Sequence, residues 1–139
     1  MCIFCDIVSG AMTAEKVYED EVGLAFLDIR PVFPGHVLLI PKAHVETFPD
    51  LPDASIAPLF ATARMLARAI PVALDADGTF VAMNNVVSQS VPHLHVHVVP
   101  RRRKDGLRGF FWPRNSYDSA EHVESVANAI RAAISAERA

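Results

Sequence analysis

Histidine recurs at every second position through His93-Leu94-His95-Val96-His97-Val98-Val99. A period of two is the period of a β-strand, in which successive side chains point to opposite faces of a sheet. The three imidazoles therefore project from one face, while Leu94, Val96 and Val98 pack into a core behind them. Imidazole is costly to bury without hydrogen-bond partners. It is also the side chain best suited to proton transfer, metal ligation and nucleophilic attack near neutral pH. A solvated surface strand does not account for the run, because its second face is too apolar for an exposed edge.

The rest of the chain reads as short strands and helices around that segment. Residues 3–8 form a short apolar stretch of one or two helical turns. Val17-Tyr18-Glu19 and residues 22–27 read as strands separated by an acidic turn, and Pro31 to Gly35 as a loop. Residues 37–40 form a buried strand that ends at Pro41. Ile56, Leu59, Phe60, Ala63, Leu66 and Ile70 follow helical spacing, which predicts a helix over residues 54–70. Pro58 fits there in the first turn, and Pro71 interrupts or ends the helix. Residues 79–83 and 93–100 are two further strands. In the last segment Asp118 reads as a helix N-cap with Glu121 three residues on, ahead of an apolar stripe at Val123, Val126, Ala127, Ile130, Ala133 and Ile134. Short connections between neighbouring strands favour antiparallel pairing. The fold class is α+β, an antiparallel sheet with packed helices.

A chain of 139 residues suits one domain around one core. A net charge of −3 gives no reason to expect a nucleic-acid polymer as partner. No apolar stretch approaches the about 18 residues of a membrane span, and the N-terminus lacks the pattern of a secretion signal. Two cysteines three positions apart do not staple a domain of this size, so a reducing, cytoplasmic setting is expected.

Among the residues able to do chemistry, His95 has the best claim to be a nucleophile. Such an imidazole is neutral at one nitrogen and holds its other proton in a fixed hydrogen bond. Attack on phosphorus is favoured over attack on a carbonyl, since no G-x-S-x-G or comparable nucleophile motif is present. His97 is placed to donate to phosphoryl oxygens or a leaving group. Gln89 and Ser90, just before the strand, can contact phosphate or form a plain turn, and the same two readings hold for Asn84 and Asn85. Asp28, at a strand end, can accept ribose hydroxyls or cap the turn before Pro31. Phe4, Ile7 and Phe26 can wall a flat base or simply fill the core. Arg101-Arg102-Arg103-Lys104 is either a solvated surface or a lure for anionic substrates. Cys2-x-x-Cys5 with His44 and His93 offers four ligands of zinc-binding type, or else two small buried thiols.

The histidine run matches the H-φ-H-φ-H-φ-φ motif of the histidine triad (HIT) superfamily. The blocks Cys2 to Ile7, Val17 to Asp20, Ala25 to Pro31, Gly35-His36 and Ile40 to His44, with Asn84 and Gln89-Ser90, resemble its Hint branch in order and approximate spacing. The resemblance covers residues 1 to about 101, so a single HIT domain over 1–139 is expected, with 102–139 as a C-terminal tail and helix. It implies a five-stranded antiparallel sheet per subunit, continuous as ten strands across a homodimer. It also implies purine nucleotide substrates and a nucleotidyl-histidine intermediate that water resolves to a nucleoside monophosphate. Transferred to this chain, His95 is the nucleophile, with His97 and Ser90 assisting at the phosphate and leaving group and Asn84 and Gln89 nearby. Asp28 holds the ribose, and Ile3, Phe4, Ile7, Phe26, Leu27 and Ile29 line the base pocket. Cys2, Cys5, His44 and His93 correspond to a structural zinc site. The leading expectation is a nucleoside phosphoramidase. The alternatives are a dinucleoside polyphosphate hydrolase like the Fhit branch, or a nucleotide-binding scaffold with vestigial activity. Two departures stand out. The loop from Asn84 to Gln89 lacks glycine and is shorter than usual, and the tail carries Gly109 to Arg114, whose Trp112 and Arg114 would contact a leaving group or pack at a dimer interface.

Overall fold

Strands β1 (Lys16–Glu19), β2 (Gly23–Leu27), β3 (Val37–Pro41), β4 (Gly78–Ala82) and β5 (Val96–Arg101) make one antiparallel sheet in the order β1-β2-β3-β5-β4. The computed structural model describes residues 1–108 and 114–139. These fall into two compact units, 1–105 and 106–139. The first unit also holds helices α1 (Ile3–Ser9) and α2 (Asp53–Leu74).

Strand alternation sorts the sheet residues between two cores. Ala25, Val37, Leu39, Leu94, Val96 and Val98 cluster with Leu59, Ala63, Leu66 and Ile70 of α2. Leu24, Phe26, Leu38 and Ile40 cluster with Phe4 and Ile7 of α1 on the other face. Each fully buried aliphatic side chain contributes about 1.5–3 kcal/mol of transfer free energy.

The long helix corrects two expectations. Pro58 lies in the second turn of α2, and the helix runs through Pro71 to Leu74. Each proline lacks an N–H and removes one i→i−4 bond. Burial of the stripe from Leu59 to Ile70 against the sheet outweighs that loss, and the Pro58 carbonyl still accepts the Thr62 hydroxyl at 3.1 Å. The stop comes at Asp75, whose left-handed backbone lets the Ala76 N–H reach the Pro71 carbonyl at 3.0 Å. By length and composition α2 could cross a membrane, but its inner face is core.

The histidine strand is shorter than its pattern, since pairing begins at Val96 and not at His93. The ladder with β3 spans only Val37 to Leu39. Before Val96 the chain leaves β3, and the Leu94 N–H donates to the Val45 carbonyl at 2.7 Å. Alternation survives nonetheless: Leu94 belongs to the α2-side core, and His93 and His95 lie edge-on to Phe4.

In the second unit, α3 (Ala120–Glu137) is capped by Ser119 instead of Asp118. The Ser119 hydroxyl accepts the His122 N–H at 3.0 Å, whereas the Asp118 N–H donates to His122 Nδ1. Val123, Ile130 and Ile134 of its apolar stripe are exposed. Trp112 and its neighbours from Gly109 to Pro113 lie outside the described residues, while Arg114 is exposed.

Candidate active site

The tautomers of the histidines follow from their partners. His95 Nδ1 lies 2.8 Å from the His93 carbonyl oxygen. A carbonyl only accepts, so Nδ1 carries the proton and Nε2 keeps its lone pair. Among the described residues no fully buried side-chain nitrogen or oxygen lacks a partner. Nε2 of His95 has no partner among the described residues, so it reaches the surface even though the ring is only 4% exposed.

His97 is set by a longer relay. The Val32 N–H donates to His36 Nδ1 at 3.1 Å, which leaves the His36 proton on Nε2. That Nε2–H donates to His97 Nδ1 at 2.9 Å, and His97 in turn carries its proton on Nε2. The rings of His95 and His97 lie 5.0 Å apart. The site thus presents a bare Nε2 at His95 and an Nε2–H at His97, side by side. His36 is the residue that sequence reasoning left without a role. A histidine next to Gly35 at the start of an apolar strand was the only local signal, and its partner lies far along the chain. The strand register supplies the link, pairing Leu38 with His97 so that His36 and His97 share a sheet face.

Burial pushes His97 down to about 4, reinforced by neighbouring His95 and His36 and opposed by Asp28. Burial also lowers His36, with Asp28 pulling partly back. Both groups are therefore neutral in the folded protein over a pH range in which an unfolded chain is protonated. The stabilisation from neutral His97 is complete above the ordinary value of 6.5 and is lost as pH falls towards about 4, and that from His36 is lost in the same direction. Urea unfolding should show a loss on the order of 2 kcal/mol between pH 7.5 and about 4.5, after allowance for solvent screening. A flat unfolding free energy across that range would contradict the assignment.

Phe4 stands between the histidines and the apolar cluster, its ring 5.2 Å from His95 and 5.4 Å from Phe26. Ile7 and Phe26 are buried beside it, Ile3 is partly exposed, and Ile29 projects almost wholly into solvent. Leu27 points the other way. It lines an apolar cavity of about 460 Å³ with Val17, Val37, Met65 and Leu66, on the α2 face. The Asp28 N–H donates to the His36 carbonyl at 2.9 Å, and Asp28 Oδ1 accepts the Arg30 N–H. Its Oδ2 lies 3.7 Å from His36 Nδ1, beyond hydrogen-bonding range.

The amides before the histidines hold their own loop. Asn84 donates to the Ser88 carbonyl, and Asn85 accepts the Phe48 N–H. Gln89 accepts the Val86 N–H and donates to the Glu46 carbonyl. Ser90 is exposed at the loop's end. Val86 and Ser88 adopt left-handed backbone, with φ of 71° and 61°. For a β-branched residue that conformation is strained, and strain of this kind concentrates at functional loops.

The basic run sits elsewhere. Arg101 pairs with Asp105 through two nitrogens, and Arg102 donates to the Leu74 carbonyl. At about 3.3 Å per residue, the run lies roughly 20 Å along the strand from His95.

Beside the triad, Cys2, Cys5, His44 and His93 bring their ligand atoms within 4.8 Å of one another. Cys2 Sγ lies 3.4 Å and Cys5 Sγ 3.6 Å from His93 Nδ1, and Cys5 Sγ lies 3.3 Å from His44 Nδ1. A tetrahedral zinc with ordinary bond lengths sets sulfur–nitrogen edges of about 3.6 Å, so the donor set fits that ion. His93 Nε2–H donates to the Pro41 carbonyl at 2.8 Å, which turns the Nδ1 lone pair towards the thiols.

A family model described as the HIT domain matches residues 9–104. An adenosine 5′-monophosphoramidase of Schizosaccharomyces pombe is 35% identical over 136 residues, covering 96% of this chain and 98% of that protein. The crystal structure of a HIT family member from Bacillus subtilis superposes with a TM-score of 0.85 at 39% identity, over 94% of both chains. A zinc-bound histidine triad family protein from Mycobacterium smegmatis gives a TM-score of 0.73 at 40% identity, over 97% of this chain and 96% of that one.

Proposed function

Because the chain belongs to the HIT family and is a hydrolase of that family, we propose that it cleaves purine nucleoside 5′-phosphoramidates through a nucleotidyl-histidine. The observation that carries this reading is the bond from His95 Nδ1–H to the His93 carbonyl, which leaves Nε2 as an available lone pair. In the first step His95 Nε2 forms a bond to the α-phosphorus while the P–N bond to the leaving amine breaks. The amine takes its proton from the Ser90 hydroxyl, while the Nε2–H of neutral His97 hydrogen-bonds a phosphoryl oxygen. Water then attacks the phosphorus as the P–Nε2 bond breaks, returns a proton to Ser90, releases the nucleoside monophosphate and restores His95.

Phe4, Ile7 and Phe26 form the wall for the base, with Ile3 and Ile29 at its rim and Leu27 contributing backbone only. Asp28 Oδ2 accepts from the ribose. Asn84 and Gln89 act by shaping the loop beside the phosphate. Cys2, Cys5, His44 and His93 hold zinc, which when bound ties α1 to the histidine segment. A reducing, cytoplasmic setting keeps both thiols available for it.

The phosphoramidase reading is preferred over a dinucleoside polyphosphate hydrolase because the basic run begins far along the strand from His95, with Arg101 held by Asp105 and Arg102 by the Leu74 carbonyl. Turnover of adenosine 5′-phosphoramidate should exceed that of diadenosine polyphosphates by about tenfold or more in kcat/KM, a difference of about 1.4 kcal/mol in the barrier. The reverse preference would overturn the substrate assignment.

The same reading includes a homodimer joined at β4, which among the described residues has a strand neighbour on one side only. The outer face of α2 would continue that surface, with Met65 and Val72 exposed. Sedimentation velocity should give a dimer, and a monomer at working concentration would remove this part.

A further inference from the structure

We propose that His93 is a positioning residue through which metal loading controls the nucleophile. The inference rests on the reading of His95 above and adds a link between two sites that are otherwise separate. His93 is fully buried and attached at every polar atom. Its Nδ1 faces the two thiols, its Nε2–H is held by Pro41, and its carbonyl receives His95 Nδ1–H at 2.8 Å. That carbonyl belongs to the peptide joining residues 93 and 94, and the N–H of the same peptide donates to the Val45 carbonyl at 2.7 Å. Val45 directly follows His44, the other imidazole of the donor set.

The peptide that fixes the His95 tautomer is therefore gripped on both sides by residues at the metal site. One side is His93 itself, and the other is the neighbour of His44. A metal joining these two imidazoles to Cys2 and Cys5 locks that peptide plane. With the metal gone, thiols are weak hydrogen-bond partners for His93 Nδ1, and the plane loses its brace. His95 then exchanges its ring proton between Nδ1 and Nε2, and molecules with Nε2 protonated cannot attack.

The test is ¹⁵N NMR of the histidine rings in the zinc-loaded protein and after chelation. The loaded protein should show a single His95 tautomer with Nδ1 protonated. The chelated protein should show averaging between tautomers, while Val98 methyl signals report an intact core. The kcat should fall by about tenfold or more with KM changed by less than about twofold, the range seen when outer-sphere partners are lost. Identical His95 ring signals with and without metal, in folded protein, would overturn the proposal. Should chelation unfold the chain, exchange of Zn²⁺ for Cd²⁺ decides instead. The longer cadmium bonds should move the His95 Nδ1–H resonance, and an unmoved resonance refutes the link. Neither NMR measurement needs a substrate, so each stays informative if the phosphoramidase reading fails.

Discussion

His95→Ala is expected to lower kcat by about 10⁴-fold or more, because no other imidazole in the site can take its place. His97 has its proton on Nε2 and its Nδ1 lone pair occupied by His36. His36 uses one nitrogen to accept from Val32 and the other to donate to His97. His93 faces the thiols with one nitrogen and Pro41 with the other. Only His95 combines a fixed Nδ1–H with an open Nε2. Mass spectrometry of protein quenched during turnover should find a nucleotidyl adduct on the wild type and none on the variant. Nucleotide binding should persist, since Phe4, Phe26 and Asp28 are untouched. An adduct on a different residue of the variant would refute the assignment of the nucleophile.

His36→Ala should cost kcat about 10²–10³-fold with little change in KM. The size follows from what a wrong tautomer does to a catalytic imidazole. Without the Nε2–H of His36, neutral His97 can move its proton to Nδ1 and face the substrate with a lone pair. A lone pair repels phosphoryl oxygens that the N–H would have stabilised. His36→Gln supplies an amide N–H in roughly the same place and should recover about tenfold of the loss. If alanine and glutamine behave alike, or if alanine is within about twofold of wild type, the relay does not orient His97. The alanine variant also leaves a cavity, so stability is to be measured alongside, with a loss of about 1–3 kcal/mol expected.

Much of this arrangement could be read from residue types and spacing. The alternation from His93 to Val99 located both the histidine face and the core face, and the pairing of β1 with β2 and of β2 with β3 followed from short apolar runs broken by Asp20, Pro31 and Gly35. Local rules failed where tertiary contacts override propensity. Pro71 does not end α2, because the stripe up to Ile70 is already committed to the sheet. The choice between Asp118 and Ser119 as cap turned on which side chain meets the His122 N–H, and spacing alone allows either. For Gln89 and Asn84 the sequence left a phosphate contact and a plain turn both open, and their bonds to backbone groups of the loop and of residue 46 are ones that spacing does not reveal. His36 was beyond reach for another reason. Its importance lies in a hydrogen bond spanning 61 residues, which no local pattern encodes. Closure of the cysteine pair onto His44 and His93 is equally long-range, and resemblance to a family supplied what spacing could not.

The strand order has a consequence for how the chain matures. β5 is the last strand made, yet it slots between β3 and β4, two strands that were made earlier. Until it emerges from synthesis, the edge of β3 stands open, and open edges invite aggregation. Pairings between distant residues of this kind generally set the pace of folding, typically milliseconds to seconds. The segment that closes the gap is the one that brings His93, His95 and His97 to the surface prepared for them. The His36–His97 bond therefore forms only once β5 has joined β3, so sealing the sheet and fixing the His97 tautomer are one event.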